Sequence, residues 1–95
     1  MANSKLKNDR MDSLFEAILL LQNEEECYAF FEDICTINEL QAISQRWEVA
    51  RLLEQNATYN DIAAKTGASS ATISRVNRCL HYGEGGYQTI LKRMK

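Results

Sequence analysis

Between Thr66 and Arg78 the sequence is TGASSATISRVNR, which sets small hydroxyl side chains and two arginines directly after a glycine. Gly67 can adopt the positive φ of a tight corner between two helices. A helix that begins after this corner would offer hydroxyls and unpaired backbone N–H groups at its N-terminus, where phosphate groups bind readily. The arginines add positive charge further along the helix. The chemistry indicated is the non-covalent binding of a polyanion.

Residues 59–78 have the pattern of a helix-turn-helix. Ala63 is small enough to lie where the two helices touch, and Gly67 provides the corner between them. The apolar positions with the spacing to form the shared core are Ile62, Ile73 and Val76. The residues predicted to contact DNA are outward-facing or basic: Asn60, Lys65, Ser69, Ser70, Ala71, Thr72, Ser74, Arg75 and Arg78.

These predicted contacts divide into two kinds. The small residues from 69 to 72 allow close approach to the floor of a major groove, where they would face bases or nearby phosphates, partly through water. Asn60, Arg75 and Arg78 are expected to contact the phosphate backbone, and Lys65 to add electrostatic attraction. The alternative is a plain helical hairpin whose polar face is only solvated. The register, the charge and the small capped second helix together favour DNA binding.

The charge of the chain is divided unevenly. Its 95 residues include 11 basic and 13 acidic side chains, a formal net charge of −2, which argues against a general nucleic-acid coat. Residues 1–56 hold five basic against eleven acidic side chains, whereas residues 57–95 hold six against two. The helix-turn-helix pattern therefore lies in the basic part of the chain, although a solvated surface without a partner would also show such an asymmetry.

Other kinds of chemistry have little support. Cys27, Cys35 and Cys79 have no disulfide-framework spacing, and we expect reduced thiols that act as buried small hydrophobes in a cytoplasmic protein. Cys79 and His81 alone are weak evidence for a metal, so no metal site or cofactor is expected. We find no Ser/His/Asp grouping, phosphate-binding loop, signal peptide or apolar run of membrane-spanning length. The prediction is a protein that is neither an enzyme nor bound to a membrane.

Hydrophobic periodicity and capping residues predict a single all-α domain of six helices. The first covers residues 9–23, the second opens at Asn23, and the third runs from Thr36 to about Glu54. The fourth runs from Thr58 to Gly67, the fifth from Ser69 or Ser70 to about Tyr82, and the sixth from about Tyr87 to Met94. The first has a broad apolar face for so small a chain, which favours an oligomer.

Residues 67–75, GASSATISR, resemble the corresponding stretch of the Trp repressor family, whose members carry a G-A-x-x-A-T-I-[ST]-R pattern there. The similarity extends without gaps back to about Ile37, covers a little over half the chain, and is closest to the TrpR-like YerC/YecD branch. It implies a six-helix fold and an intertwined homodimer, in which residues 7–56 and 86–95 form the dimer and residues 59–78 project as the helix-turn-helix.

The resemblance also implies a function. Two recognition helices would enter successive major grooves about 34 Å apart, the spacing known for helix-turn-helix dimers, Trp repressor among them, on an approximately palindromic double-stranded operator. The expected protein is a transcriptional regulator that represses by occlusion. A protein-interaction adaptor, or a metabolite sensor that keeps the fold without binding DNA, remains an alternative.

The tryptophan pocket of the family carries over only in part. In tryptophan-responsive members two arginines hold the indole ring; Arg75 matches one of them, but Gln45 stands at the other position. Arg46 lies one residue further on, about 100° around the helix. Val76 replaces the small glycine that gives the ligand room in those members. Gln45, Arg46 and Arg75 are therefore the candidate lining of any pocket, and L-tryptophan is not the expected effector.

Overall fold

The computed structural model describes residues 4–94, in which all regular structure is helical, as predicted. The helices are α1 (Asp9–Ile18), α2 (Glu24–Ile34), α3 (Ile37–Glu54), α4 (Tyr59–Thr66), α5 (Ser70–Tyr82) and α6 (Gly86–Arg93). They fall into two compact units, the first ending at Thr36 and the second beginning at Ile37. Residues 1–3 and Lys95, which the single-domain prediction includes, lie outside the described residues.

In the first unit, asparagine side chains begin both helices. The Asn8 Oδ1 accepts a hydrogen bond from the Met11 N–H at 2.9 Å, and the Asn23 Oδ1 accepts one from the Glu26 N–H at 2.9 Å. The Glu26 carboxylate in turn accepts from the Gln22 N–H at 2.9 Å, close to the reciprocal pattern of a capping box. The predicted start of the second helix at Asn23 is therefore confirmed.

The prediction that the first helix reaches residue 23 is wrong, because α1 ends at Ile18. The N–H groups of Leu20 and Leu21 bond to carbonyls three residues earlier, which tightens the chain into a turn. Leu19 and Leu20 are 82% and 76% exposed, and neither α1 nor α2 buries any residue completely. The apolar side chains of this unit thus remain without full cover in a single chain.

The second unit has the core of the molecule. The buried residues of its main cluster come from α3, α4, the turn that follows α4, and α5: Val49, Ala50, Leu52, Ile62, Ala68, Ile73 and Val76. Trp47 of α3 packs at the edge of this core and stacks on Tyr87 of α6, with ring centroids 6.3 Å apart. The amide of Gln88 donates to the Leu80 carbonyl at 3.1 Å, which joins α6 to the end of α5.

Left-handed backbone conformations allow the sharp changes of direction around α4. Asn56 has a φ of 64° just after α3, and Gly67 has a φ of 74° just after α4. The Gly67 N–H donates to the Ala63 carbonyl at 2.9 Å, so the glycine closes the helix as it turns the chain.

Replacement of Gly67 with alanine should lower the free energy of unfolding by about 1–2 kcal/mol, the usual cost of the left-handed conformation for a residue with a side chain. The added methyl group would meet no atom closer than 4.0 Å, so only backbone strain contributes. Gly86→Ala is the matched control, because Gly86 begins α6, has open space around it and has no positive φ. Urea denaturation measures both, and equal stability changes for the two variants would contradict the assignment.

Candidate nucleic-acid interface

Two short helices, α4 and α5, meet at the Gly67 corner and share an apolar core. Ile62 of α4 is fully buried, and Ile73 and Val76 of α5 are each 1% exposed. Ala63 is half-buried and packs against this cluster. The structure thus places the residues proposed for the helix-turn-helix core together, with both helices packed on α3.

The opposite face of α5 is exposed and carries small or basic side chains. Its buried residues Ile73, Val76 and Leu80 follow helical spacing, so the side chains between them point away from the core. The predicted contact residues that are exposed are Asn60, Lys65, Ser69, Ser70, Ala71, Ser74, Arg75 and Arg78. Thr72 is half-buried. The structure therefore leaves eight of the nine predicted contact residues exposed, on α4, at the N-cap of α5 and on α5 itself.

The four hydroxyl groups near the start of α5 differ in what they bind. The Ser69 Oγ accepts from the Thr72 N–H at 3.1 Å and donates to the Thr72 Oγ1 at 3.1 Å, so this pair caps the helix. Ser70 and Ser74 form no hydrogen bond through their hydroxyls within residues 4–94. Ser70 and Ser74 therefore have hydroxyls free to meet a ligand, whereas Ser69 and Thr72 already have a structural role.

Arg75 and Arg78 have guanidinium groups that no other residue between 4 and 94 engages. The ion pairs in the described part of the chain join Lys7 to Asp12 and Glu48 to Arg51, each at 2.7 Å, and neither involves α5. No acidic residue occurs in α5 itself. Both arginines can thus contact an anionic partner without first breaking an internal pair.

An open groove of about 440 Å³ lies beside this surface, between α3 and the end of α4. Its lining residues are Gln41, Ser44, Gln45, Glu48 and Thr66. Of the three predicted pocket residues, only Gln45 lines the groove, and Arg46 and Arg75 do not. Sequence reasoning missed Gln41, Ser44 and Glu48; the signal that could have found them is that they recur with Gln45 at helical spacing on α3. Among residues 4–94, no basic side chain that could hold a carboxylate lines the groove.

The cysteines differ from the prediction of buried small hydrophobes. Cys27 and Cys79 are exposed and Cys35 is half-buried, and all three are free thiols. Cys79 follows Arg78 on the outward side of α5, which explains its exposure. Within residues 4–94, no group of three His, Cys, Asp or Glu side chains is arranged to hold a metal ion. In the same residues, no helix has the length and apolar character to cross a membrane.

Comparisons with known proteins agree with this arrangement. The family model described as Trp repressor protein matches residues 9–95. Over its whole length the chain is 54% identical to the uncharacterized protein YerC of Bacillus subtilis (strain 168), 91% of which it covers.

Solved structures are also similar. One is the crystal structure of a candidate Trp repressor from Staphylococcus aureus, with 52% identity and a TM-score of 0.91 over 99% of this chain and 94% of that one. Another is a TrpR-like protein from Eubacterium eligens, with 56% identity and a TM-score of 0.92 over 97% of this chain and 95% of that one.

Two adjacent serines provide a test of the hydroxyl assignments. Ser69→Ala should lower the free energy of unfolding by about 1 kcal/mol, because it removes the cap of α5. Ser70→Ala, one residue later and exposed, should change it by less than about 0.5 kcal/mol. Thermal or urea unfolding measures both variants. A larger loss for Ser70→Ala than for Ser69→Ala would show that the cap is assigned to the wrong serine.

Proposed function

The chain belongs to the Trp repressor family, and we propose that it is a sequence-specific regulator that binds double-stranded DNA as a homodimer. Its six helices have the Trp-repressor-like fold. The proposal goes further than the fold, since it assigns DNA binding to the outward surface of α4, the turn and α5. The proposed regulator is not an enzyme, as is typical of this family. It acts in the cytoplasm, where bacterial DNA is found.

The observation that carries the proposal is the outward face of α5. Within residues 4–94, this face combines the unbonded hydroxyls of Ser70 and Ser74 with two arginines that have no ion-pair partner, and the small side chains Ser70, Ala71 and Ser74 leave the backbone close to its surface. A major groove is wide enough to admit an α-helix, and small side chains let the helix backbone approach the base edges closely. Phosphates bind to guanidinium groups and to backbone N–H groups at a helix start. A hairpin that is only solvated needs none of these features.

The assigned roles follow from what each side chain already binds. Ser70, Ala71 and Ser74 face bases. Asn60, Arg75 and Arg78 contact the phosphate backbone, and Lys65 adds attraction from the last turn of α4. Ser69 and Thr72 contribute chiefly by capping the start of α5. They approach DNA at the edge of the interface or through water.

Exposed apolar side chains support the homodimer. Outside the proposed DNA surface, large exposed apolar side chains lie just before α1, on α1 and in the turn after it, on α2, in the first half of α3, and on α6 with its C-cap. They are Leu6, Phe15, Leu19, Leu20, Tyr28, Ile34, Ile37, Ile43, Ile90 and Met94. Almost all of them fall within residues 7–56 and 86–95, the segments proposed for dimerisation. A second copy would remove this surface from water and stabilise a small chain. The two recognition helices would then face successive major grooves of an approximately palindromic operator.

The groove beside α4 argues against L-tryptophan as the effector. Among the described residues of the chain, Glu48 is the only charged side chain that lines it, and the Gln45 amide already donates to the Thr66 carbonyl at 3.1 Å. An amino acid's carboxylate would therefore meet no cation there and would face a carboxylate instead. We propose that the protein represses by occlusion of its operator without tryptophan.

Two substitutions separate the backbone contacts from the base contacts, once an operator has been selected from random duplexes with the wild-type protein. Arg78→Ala should weaken binding to all duplexes alike and reduce the slope of log affinity against log salt by about 1, because one phosphate contact is lost. Ser70→Ala should change which base is preferred at one position of each half-site. Fluorescence anisotropy at several salt concentrations measures both.

Lys5→Ala is the control for these titrations, since Lys5 has the same positive charge but is an exposed residue of the first unit, outside the segments proposed for the dimer and for DNA contact. It should bind like wild type. Binding of operator and random DNA by Arg78→Ala and Ser70→Ala at wild-type levels would refute the interface. Failure of the wild-type protein to bind any duplex would favour the adaptor or sensor function instead.

Calorimetric titration with L-tryptophan should release no heat that saturates in the micromolar range, and tryptophan should leave operator affinity unchanged. The reason is the absence of a basic partner for the ligand's carboxylate in the groove. Gln45→Arg would place a basic partner for the carboxylate in the groove, so this variant is titrated beside the wild-type chain. Saturable micromolar binding by the wild-type chain would overturn this part of the proposal.

A further inference from the structure

Three hydrogen bonds converge on Thr66, the last residue of α4. The Gln45 Nε2 on α3 donates to the Thr66 carbonyl at 3.1 Å. The Thr66 Oγ1 donates to the Ile62 carbonyl at 2.7 Å and accepts from the Ala68 N–H at 3.1 Å. The side chain of Thr66 thus joins α4 to the turn, and its carbonyl joins the same residue to α3. We call these three bonds the turn network.

The turn network lies where the direction of α5 is decided. The carbonyl groups of a helix's last turn have no partner within that helix, so the Gln45 amide satisfies one that would otherwise face the groove. Gly67 follows with its left-handed conformation, and Ala68, 5% exposed, lies only two residues before α5 begins. An amide on α3 is thereby connected to the start of the recognition helix through one threonine.

Apolar packing alone would set this direction loosely. Contacts among apolar side chains are not directional, whereas hydrogen bonds weaken steeply outside a narrow range of distance and angle. Ser74, the base-facing residue furthest along α5, lies four residues or about 6 Å beyond Ser70, so a rotation of about 10° at the start of the helix would move it by roughly 1 Å. A displacement of that size separates hydrogen-bonding partners on base edges. Attraction between arginines and phosphates persists, because charge interactions act over about 8–10 Å in ordinary salt.

We propose that Gln45 is a positioning residue for DNA recognition, which acts through Thr66 to set the angle at which α5 is presented. The chain itself supplies this constraint, so operator recognition requires no small molecule in the groove. The inference rests on the proposed function, since it assigns a source to the specificity of that surface. A positioning role for Gln45 has a specific consequence. Removal of the Gln45 amide lowers affinity for the operator and leaves affinity for random DNA unchanged.

Gln45→Ala and Gln41→Ala form a matched pair for the test. Both glutamines lie on α3, one turn apart, and both line the groove, but only Gln45 bonds to Thr66. Gln45→Ala should bind the selected operator about three- to ten-fold more weakly, the effect of one hydrogen bond, with unchanged affinity for random duplex. Gln41→Ala should match wild type on both. An operator-to-random ratio in Gln45→Ala equal to that of wild type would overturn the proposal.

Two variants of Thr66 test the hydroxyl of the turn network, and a second variant of Gln45 guards against misfolding. Thr66→Val removes the hydroxyl and should lower the same ratio, and Thr66→Ser should restore it. Where Gln45→Ala proves unstable, Gln45→Met preserves the length of the side chain and lacks the amide. Equal ratios for the valine and serine variants would show that the hydroxyl does not transmit the constraint.

Hydrogen exchange in the free protein tests the link without DNA. The Ala68 N–H reports on the turn network, and the Ile73 N–H, which bonds to the Ser69 carbonyl at 3.0 Å, reports on α5 as a whole. Gln45→Ala should accelerate exchange at Ala68 about three- to ten-fold more than at Ile73. Equal acceleration at both amides would mean general destabilisation and would overturn the positioning role.

The two proposals fail in different ways. If wild-type protein binds no duplex, the proposed function fails, and so does the role of Gln45 in recognition. If wild-type protein selects an operator and Gln45→Ala keeps the full operator-to-random ratio, only the positioning role fails.

Discussion

The packing of α4 and α5 on α3 depends on one sharp corner, in which α4 ends and α5 begins within a few residues. Gly67 permits the corner because it adopts a φ of 74°, and burial of Ile62, Ile73 and Val76 holds the two helices together on α3. With those side chains turned inward, the small and basic residues of α5 have only the outward face left to them. One packing constraint therefore creates both the core and the surface proposed to bind DNA.

A protein with a net charge of −2 can have this function because its charge is separated along the chain. The acidic residues concentrate before residue 57, and their most compact cluster, from Glu24 to Glu26, lies at the start of α2, where the helix dipole stabilises negative charge. In the part of the chain that the structure describes, the arginines of α5 have no carboxylate partner. Local field and local shape, more than total charge, decide what such a surface attracts.

The sequence predicted most of the fold because the decisive signals are local. Caps at Asn23, Thr58 and Ser69 act over three residues, and the positions of Gly67 and the apolar core follow from helical spacing. The prediction extended α1 too far, because three consecutive leucines, residues 19–21, continue the apolar pattern through a turn. The bond from Gln45 to Thr66 spans 21 residues, and no local pattern reveals a contact of that kind. The exposure of Cys79 was missed because cysteine is usually buried.

The central claim is that the outward face of α5 is the surface that meets DNA. A titration of the isotope-labelled protein with its selected operator duplex, followed by amide chemical shifts, tests this residue by residue. We predict that the largest changes occur at the beginning of α4 and along the exposed side of α5, at Asn60, Ser70, Ser74 and Arg78, with small changes in α1 and α2. Changes centred on α1 and α2, or none at saturating DNA, would contradict the account.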